Sequence, residues 1–97
     1  MKIRSSNASF WCKDEATFLR LSSFMEKDNW PATYAEWLNN SKNFTAAMLK
    51  QGIILTKIEA DPDEFSAWCN LHSRPADSKS RCLYAAEKFS DIPKTNN

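Results

Sequence analysis

A chain of 97 residues, 42% hydrophobic and 26% charged, is short for two ordinary domains and too apolar for disorder. Its 13 basic and 12 acidic side chains leave a formal charge of +1, so no global field steers it to nucleic acid or a membrane surface, and either partner would need a local patch. The single glycine, Gly52, excludes the glycine-rich loops that cradle phosphates and dinucleotides.

The first residues include Lys2 and Arg4, but no apolar run follows them as a secretory signal requires. No segment approaches the roughly eighteen apolar residues that span a bilayer. The three cysteines lack the spacing of a secreted disulfide scaffold. The expectation is a reduced, soluble, cytoplasmic protein with no membrane partner. It should form one small globular domain over 1–92, with a frayed tail at 93–97.

In chain order, residues 8–12 read as a short strand. "DEATFLRLSSFMEKD" follows as a helix that brings Phe18, Leu21 and Met25 together, with Leu19 and Phe24 beside them. Asp14 and Glu15 in its first turn and Lys27 in its last would complement the helix dipole. Trp30-Pro31 favours an extended entry to the next helix, and Thr33 with Glu36 fits a capping box. That helix, 34–51, places Tyr34, Trp37, Leu38, Ser41, either Phe44 or Thr45, and Met48 on one face. The poor helix formers of "NNSKN" leave its continuity open. Gly52 then suits the left-handed closing position.

"IILTKIEA", 53–60, is β-branched and apolar and reads as a strand; residues 8–12 are its only good partner. Asp61 as N-cap, Pro62 at the first helical position and Glu64 two residues on open a helix over 62–72. Phe65, Trp68, Cys69 and His72 share its face. "SRPAD" breaks the chain, because Arg74 before Pro75 is steered away from helical angles. A last helix from about Asp77 puts Cys82, Ala85, Ala86 and Phe89 on one face. The fold class is therefore α+β and predominantly helical. The order is β-α-α-β-α-α, with a minimal two-stranded sheet and a C-terminal αα-hairpin.

Four residues could ligate zinc: Cys12, Cys69, His72 and Cys82. They lack the short paired spacing of zinc sites, and free cysteines commonly pack as small hydrophobes, so packing is preferred and no metal or cofactor is expected. His72, the one base for a reactive Cys69, suits the negative end of its helix dipole better than catalysis. The carboxylates cluster at helix starts, where capping accounts for them. No catalytic residue is assigned.

Two surfaces could meet a partner. The segment 62–89 has the size of a helix-turn-helix, with Arg74 in the turn and Lys79 and Arg81 at the start of the second helix. Among the aromatics Trp30, Tyr34 and Trp37, an incompletely buried Trp30 could anchor another protein. The segments "TYAEW" and "DPDEFSAWC" have the general look of short bacterial or phage reading frames and carry no family resemblance. The expected role is a small non-catalytic interaction module (adaptor, inhibitor or accessory protein) contacting another protein through Arg74, Lys79, Arg81 or Trp30. A homodimer formed by sheet extension is a second expectation. The alternatives are a DNA-binding regulator using 62–89 and, behind it, a small zinc-binding protein.

Overall fold

The computed structural model describes residues 4–91, so the expected tail at 93–97 lies outside the described residues. These residues hold β1 (Ser5–Trp11), α1 (Glu15–Ser22), α2 (Tyr34–Lys50), β2 (Ile53–Glu59), α3 (Pro62–Leu71) and α4 (Ser78–Ser90). The α+β class and the β-α-α-β-α-α order read from the sequence are those observed. No helix of the described residues is long and apolar enough to cross a membrane.

Every helix begins where a short polar side chain takes over an orphan backbone donor. Asp14 accepts from the Thr17 N–H, Thr33 from Glu36, Asp61 from Asp63 and Asp77 from Ser80, at 2.9, 3.1, 3.0 and 2.9 Å. Each such cap contributes about 1 kcal/mol. α2 runs unbroken through "NNSKN", with the Thr45 hydroxyl bonded to the Ser41 carbonyl at 2.8 Å. Thr45, half-buried, takes the inward position that Phe44 competed for, and Phe44 stays outside. Gly52, at φ 80°, closes the helix with its N–H on the Leu49 carbonyl at 2.9 Å. A side chain there would meet the steric penalty of the left-handed region. The same glycine's carbonyl accepts from the Arg4 N–H, tying the start of β1 to the start of β2.

α1 ends at Ser22, before the expected last turn at Lys27. The hydroxyls of Ser22 and Ser23 bond back to the carbonyls of Phe18 and Arg20, both at 2.7 Å, offering the backbone a local alternative to continued helix. The basic residue of the last turn is therefore Arg20.

β1 and β2 pair in parallel, with Ser5 opposite Ile53 and Trp11 opposite Glu59. Parallel pairing requires a long crossover, and α1 and α2 supply it. Successive strand side chains leave opposite faces. Trp11 meets Trp37 of α2, with ring centroids 4.9 Å apart, whereas Phe10 meets Phe65 of α3 and Tyr84 of α4 at 5.0 and 5.9 Å. The small sheet thus lies between α2 on one face and the α3–α4 hairpin on the other. Phe18 of α1 bridges them at the strand ends: Trp30 stacks on it at 5.2 Å, and Trp37 leans against it. Tyr84, Phe18, Phe65 and Leu21 are the largest fully buried side chains. Removing each such apolar group from water contributes about 2 kcal/mol.

The inner face of α4 is rotated from the expected one. Ser80, Arg81, Tyr84 and Ala85 are buried, while Cys82 and Ala86 are exposed. Tyr84 is the bulkiest group on the helix, and turning it into the Phe10–Phe65 contact carries Ser80 and Arg81 inward with it. Ser80 tolerates burial between Arg74 and the Pro75 carbonyl, and Arg81 is held by the Asp28 carbonyl and the Trp30 ring.

Candidate functional site

Cys12, Cys69, His72 and Cys82 do not converge. Cys12 is fully buried in the core, and Cys69 is nearly so, against the turn after α3. Cys82 faces outward on α4, and all three thiols are free. Burial pushes the Cys12 thiol up to about 12, with Asp14 adding to the shift, and burial raises Cys69 in the same direction. Neither is an available thiolate at neutral pH. His72 forms the C-cap of α3, as its position suggested, and its exposed ring leans on Trp68 at 4.4 Å. Among the described residues no three His, Cys, Asp or Glu side chains gather as a metal site would require.

The four expected contact residues separate into two groups. Arg74 serves its own turn: its Nε donates to the Ser80 hydroxyl at 2.9 Å, which in turn donates to the Pro75 carbonyl at 2.6 Å. Lys79 is exposed. Arg81, expected on the outer surface beside it, is only 8% exposed and lies over the Trp30 ring at 5.0 Å. The basic residues therefore do not line one outward face of α4. Instead, tertiary folding brings Arg81 and Trp30 together.

Both are held firmly. The Trp30 indole N–H donates to the Ser22 hydroxyl at 2.9 Å, and Arg81 Nη2 donates to the Asp28 carbonyl at 3.0 Å. The Asp28 carboxylate caps α4 by accepting from the Ser78 N–H at 2.8 Å, and its other oxygen stands 3.8 Å from Arg81 Nη1. That separation compensates charge without making a hydrogen bond. Arg81 Nη1 is the one buried side-chain nitrogen or oxygen among the described residues without a hydrogen-bond partner.

Arg81 also borders a groove of about 490 Å3. Ser9 and Phe10 of β1 form its floor, and Trp37, Asn40, Ser41 and Phe44 of α2 form one wall. Ser78 and Arg81 of α4 form the other wall, and Asn29 and Pro31 close one end. Consecutive residues of β1 that point to opposite faces both reach this groove, and no β2 residue does. The groove therefore borders the outer edge of β1 at Ser9 and Phe10, the edge turned away from β2, its one strand neighbour among the described residues. Phe44 stands over it 56% exposed. The sequence signal for Ser41 and Phe44 was helical periodicity, with Phe44 competing with Thr45 for the inner face; nothing local pointed to Asn40 or Asp28.

A second hollow, between α1 and α3, is walled by Leu19, Phe24 and the Arg20–Asp63 ion pair at 2.8 Å. None of its described residues has a buried side-chain donor without a partner. On the far side of the hairpin, the Tyr84 hydroxyl donates to Glu64 at 2.7 Å and Lys88 pairs with the same carboxylate. Those three groups satisfy one another.

Compared with family models, with curated proteins and with solved structures, the chain matches none.

Proposed function

We propose that this protein is a non-catalytic interaction module that receives an extended segment of another protein along the outer edge of β1. What supports the reading is the groove itself: it borders a strand edge that no other strand of the described residues pairs, between a helix on each face of the sheet. A strand edge offers a row of backbone donors and acceptors, and flanking pockets select the side chains of an added strand. Phe10 and Phe44 offer aromatic surface to such side chains, with the buried Trp37 behind them, while Ser9, Asn40 and Ser41 offer polar contacts. The stretch Ser5–Asn7 is exposed and polar, so the edge stays soluble until it is paired.

Nucleic-acid recognition receives less support, because Arg81 is buried and Arg74 is engaged within its turn. A second copy pairing through the same edge is a distinct outcome. Light scattering of the purified chain at micromolar concentration separates the two: a monomeric mass fits a partner-binding module, and a dimeric mass indicates self-pairing. The site is tested by selecting linear peptides from a display library and following their binding by amide NMR shifts. Shifts centred on Ser9, Phe10 and Asn40 to Phe44, abolished by Asn40→Trp at the exposed wall, are the expected result. Shifts centred on Leu19 and Phe24 would refute the placement.

A further inference from the structure

We infer that Arg81 is the recognition anchor of the β1 groove, and that its unmet Nη1–H donates to a backbone carbonyl of the added segment. This inference rests on the strand-addition reading and names the chemistry by which that site would recognise its occupant.

Three features of the guanidinium define what it lacks. Its face is covered by Trp30 at 5.0 Å, and its Nη2 is occupied by the Asp28 carbonyl at 3.0 Å. Its charge is balanced by the Asp28 carboxylate, 3.8 Å from Nη1. What is missing is an acceptor: Asp28 Oδ2 is taken by the Ser78 N–H at 2.8 Å, and Oδ1 stands 3.8 Å from Nη1, too far for a hydrogen bond. A buried donor without an acceptor is costly, so any occupant that brings an oxygen to it gains the energy the folded chain forgoes.

The local charge decides which oxygen. Among the described residues Arg81 is the only charged one lining the groove, and Asp28 already stands beside it. A carboxylate would add a second negative charge to a guanidinium that has its counterion, whereas a neutral carbonyl adds an acceptor alone. An extended peptide beside β1 presents carbonyls at regular intervals and places alternate side chains toward the exposed Phe44 of α2. Arg81 lines the groove, whereas Nη1 itself is buried, so the guanidinium has to shift toward the groove to present that donor to an occupant.

The test uses the full chain and library-selected linear peptides resynthesised as N-acetyl, C-amide forms, with affinity measured by titration calorimetry. The expected result is binding with little dependence on salt, weakened about tenfold or more by Arg81→Lys, which keeps the charge but loses the fork. In the wild-type chain, where folding of a variant is not at issue, the Arg81 Nη proton signals should shift and exchange more slowly when peptide is added. Unchanged Arg81 signals, or equal affinity in Arg81→Lys, with backbone shifts still at Ser9 and Phe44, overturn the anchor and leave strand addition standing. Selection of acidic peptides whose binding collapses with salt overturns the neutral carbonyl in favour of an anion site. Absence of any binder at the groove overturns both the anchor and the strand-addition reading.

Discussion

The two halves of α4 partner their polar groups in opposite ways. Toward its C-terminus, the Tyr84 hydroxyl and Lys88 share the Glu64 carboxylate, and each group has its partner. Toward its N-terminus, Ser80 is fully satisfied between Arg74 and Pro75, but its neighbour Arg81 keeps one buried donor without an acceptor. A closed network contributes to holding the hairpin; an open one is held in place by its surroundings and leaves a vacancy in its hydrogen bonding. The difference separates the part of the molecule that maintains the fold from the part that faces the groove.

Substitutions at the two halves should separate in the same way. The largest loss is expected for Tyr84→Ala, which empties the largest fully buried site and should cost about 4 kcal/mol in chemical denaturation. A loss below about 1 kcal/mol would mean that Tyr84 is not the centre of the core. Next comes Ser80→Ala, which removes the acceptor of the Arg74 Nε and leaves the Pro75 carbonyl only the long contact from the Cys69 thiol, and should cost about 2 kcal/mol. An unchanged urea midpoint would show that the turn does not depend on Ser80.

A smaller effect is expected from pH at the closed end. Hydrogen bonds from Lys88 and then Tyr84 hold the Glu64 carboxyl below its ordinary range. Its contribution is present above the unfolded value and disappears as pH falls through the lower folded one. The caps Asp14 and Asp77, lowered chiefly by their bonds to Thr17 and Ser80, act in the same direction. The urea midpoint should therefore fall between about pH 5 and pH 2, and Glu64→Gln should flatten part of that slope. The share from Glu64 is modest, because its side chain is 46% exposed and solvent screens it. Lys88 is raised mainly by its bond to Glu64, so its contribution persists below its unfolded value and is lost only as strongly alkaline pH passes through the folded one. The smallest stability change is expected for Phe44→Ser, within about 0.5 kcal/mol, although it should remove most peptide affinity. If stability and affinity fell together, Phe44 would belong to the core rather than to the groove.

The elements were legible because their signals are local. Asp14, Thr33, Asp61 and Asp77 announce helix starts within one turn, and Gly52 marks a stop that few other residues can occupy. Lys27 was misplaced because Ser22 and Ser23 end α1 through side-chain bonds that periodicity does not weigh. Cys82 was misplaced for a tertiary reason. Ser80 and Arg81 look outward on a hydrophobic count, and only Pro75, Asp28 and Trp30 make their burial tolerable. The parallel pairing of β1 with β2 was likewise unread, since either orientation would pair the same residues' backbones. The site followed the same rule. Arg81 and Trp30 were both singled out by residue type, but the bond that fixes Arg81 spans 53 residues, to Asp28. The groove joins four separate parts of the chain and leaves no local signature.

Amide hydrogen exchange along β1, with and without a library-selected peptide, tests the central claim most directly. Strand addition at the outer edge predicts slower exchange in β1, accompanied by protection at Asn40 to Phe44 of α2 and none at the α1–α3 hollow. Exchange in β1 that is unchanged by a bound peptide, or protection confined to Leu19–Phe24 and Asp63–Ser66, would contradict it.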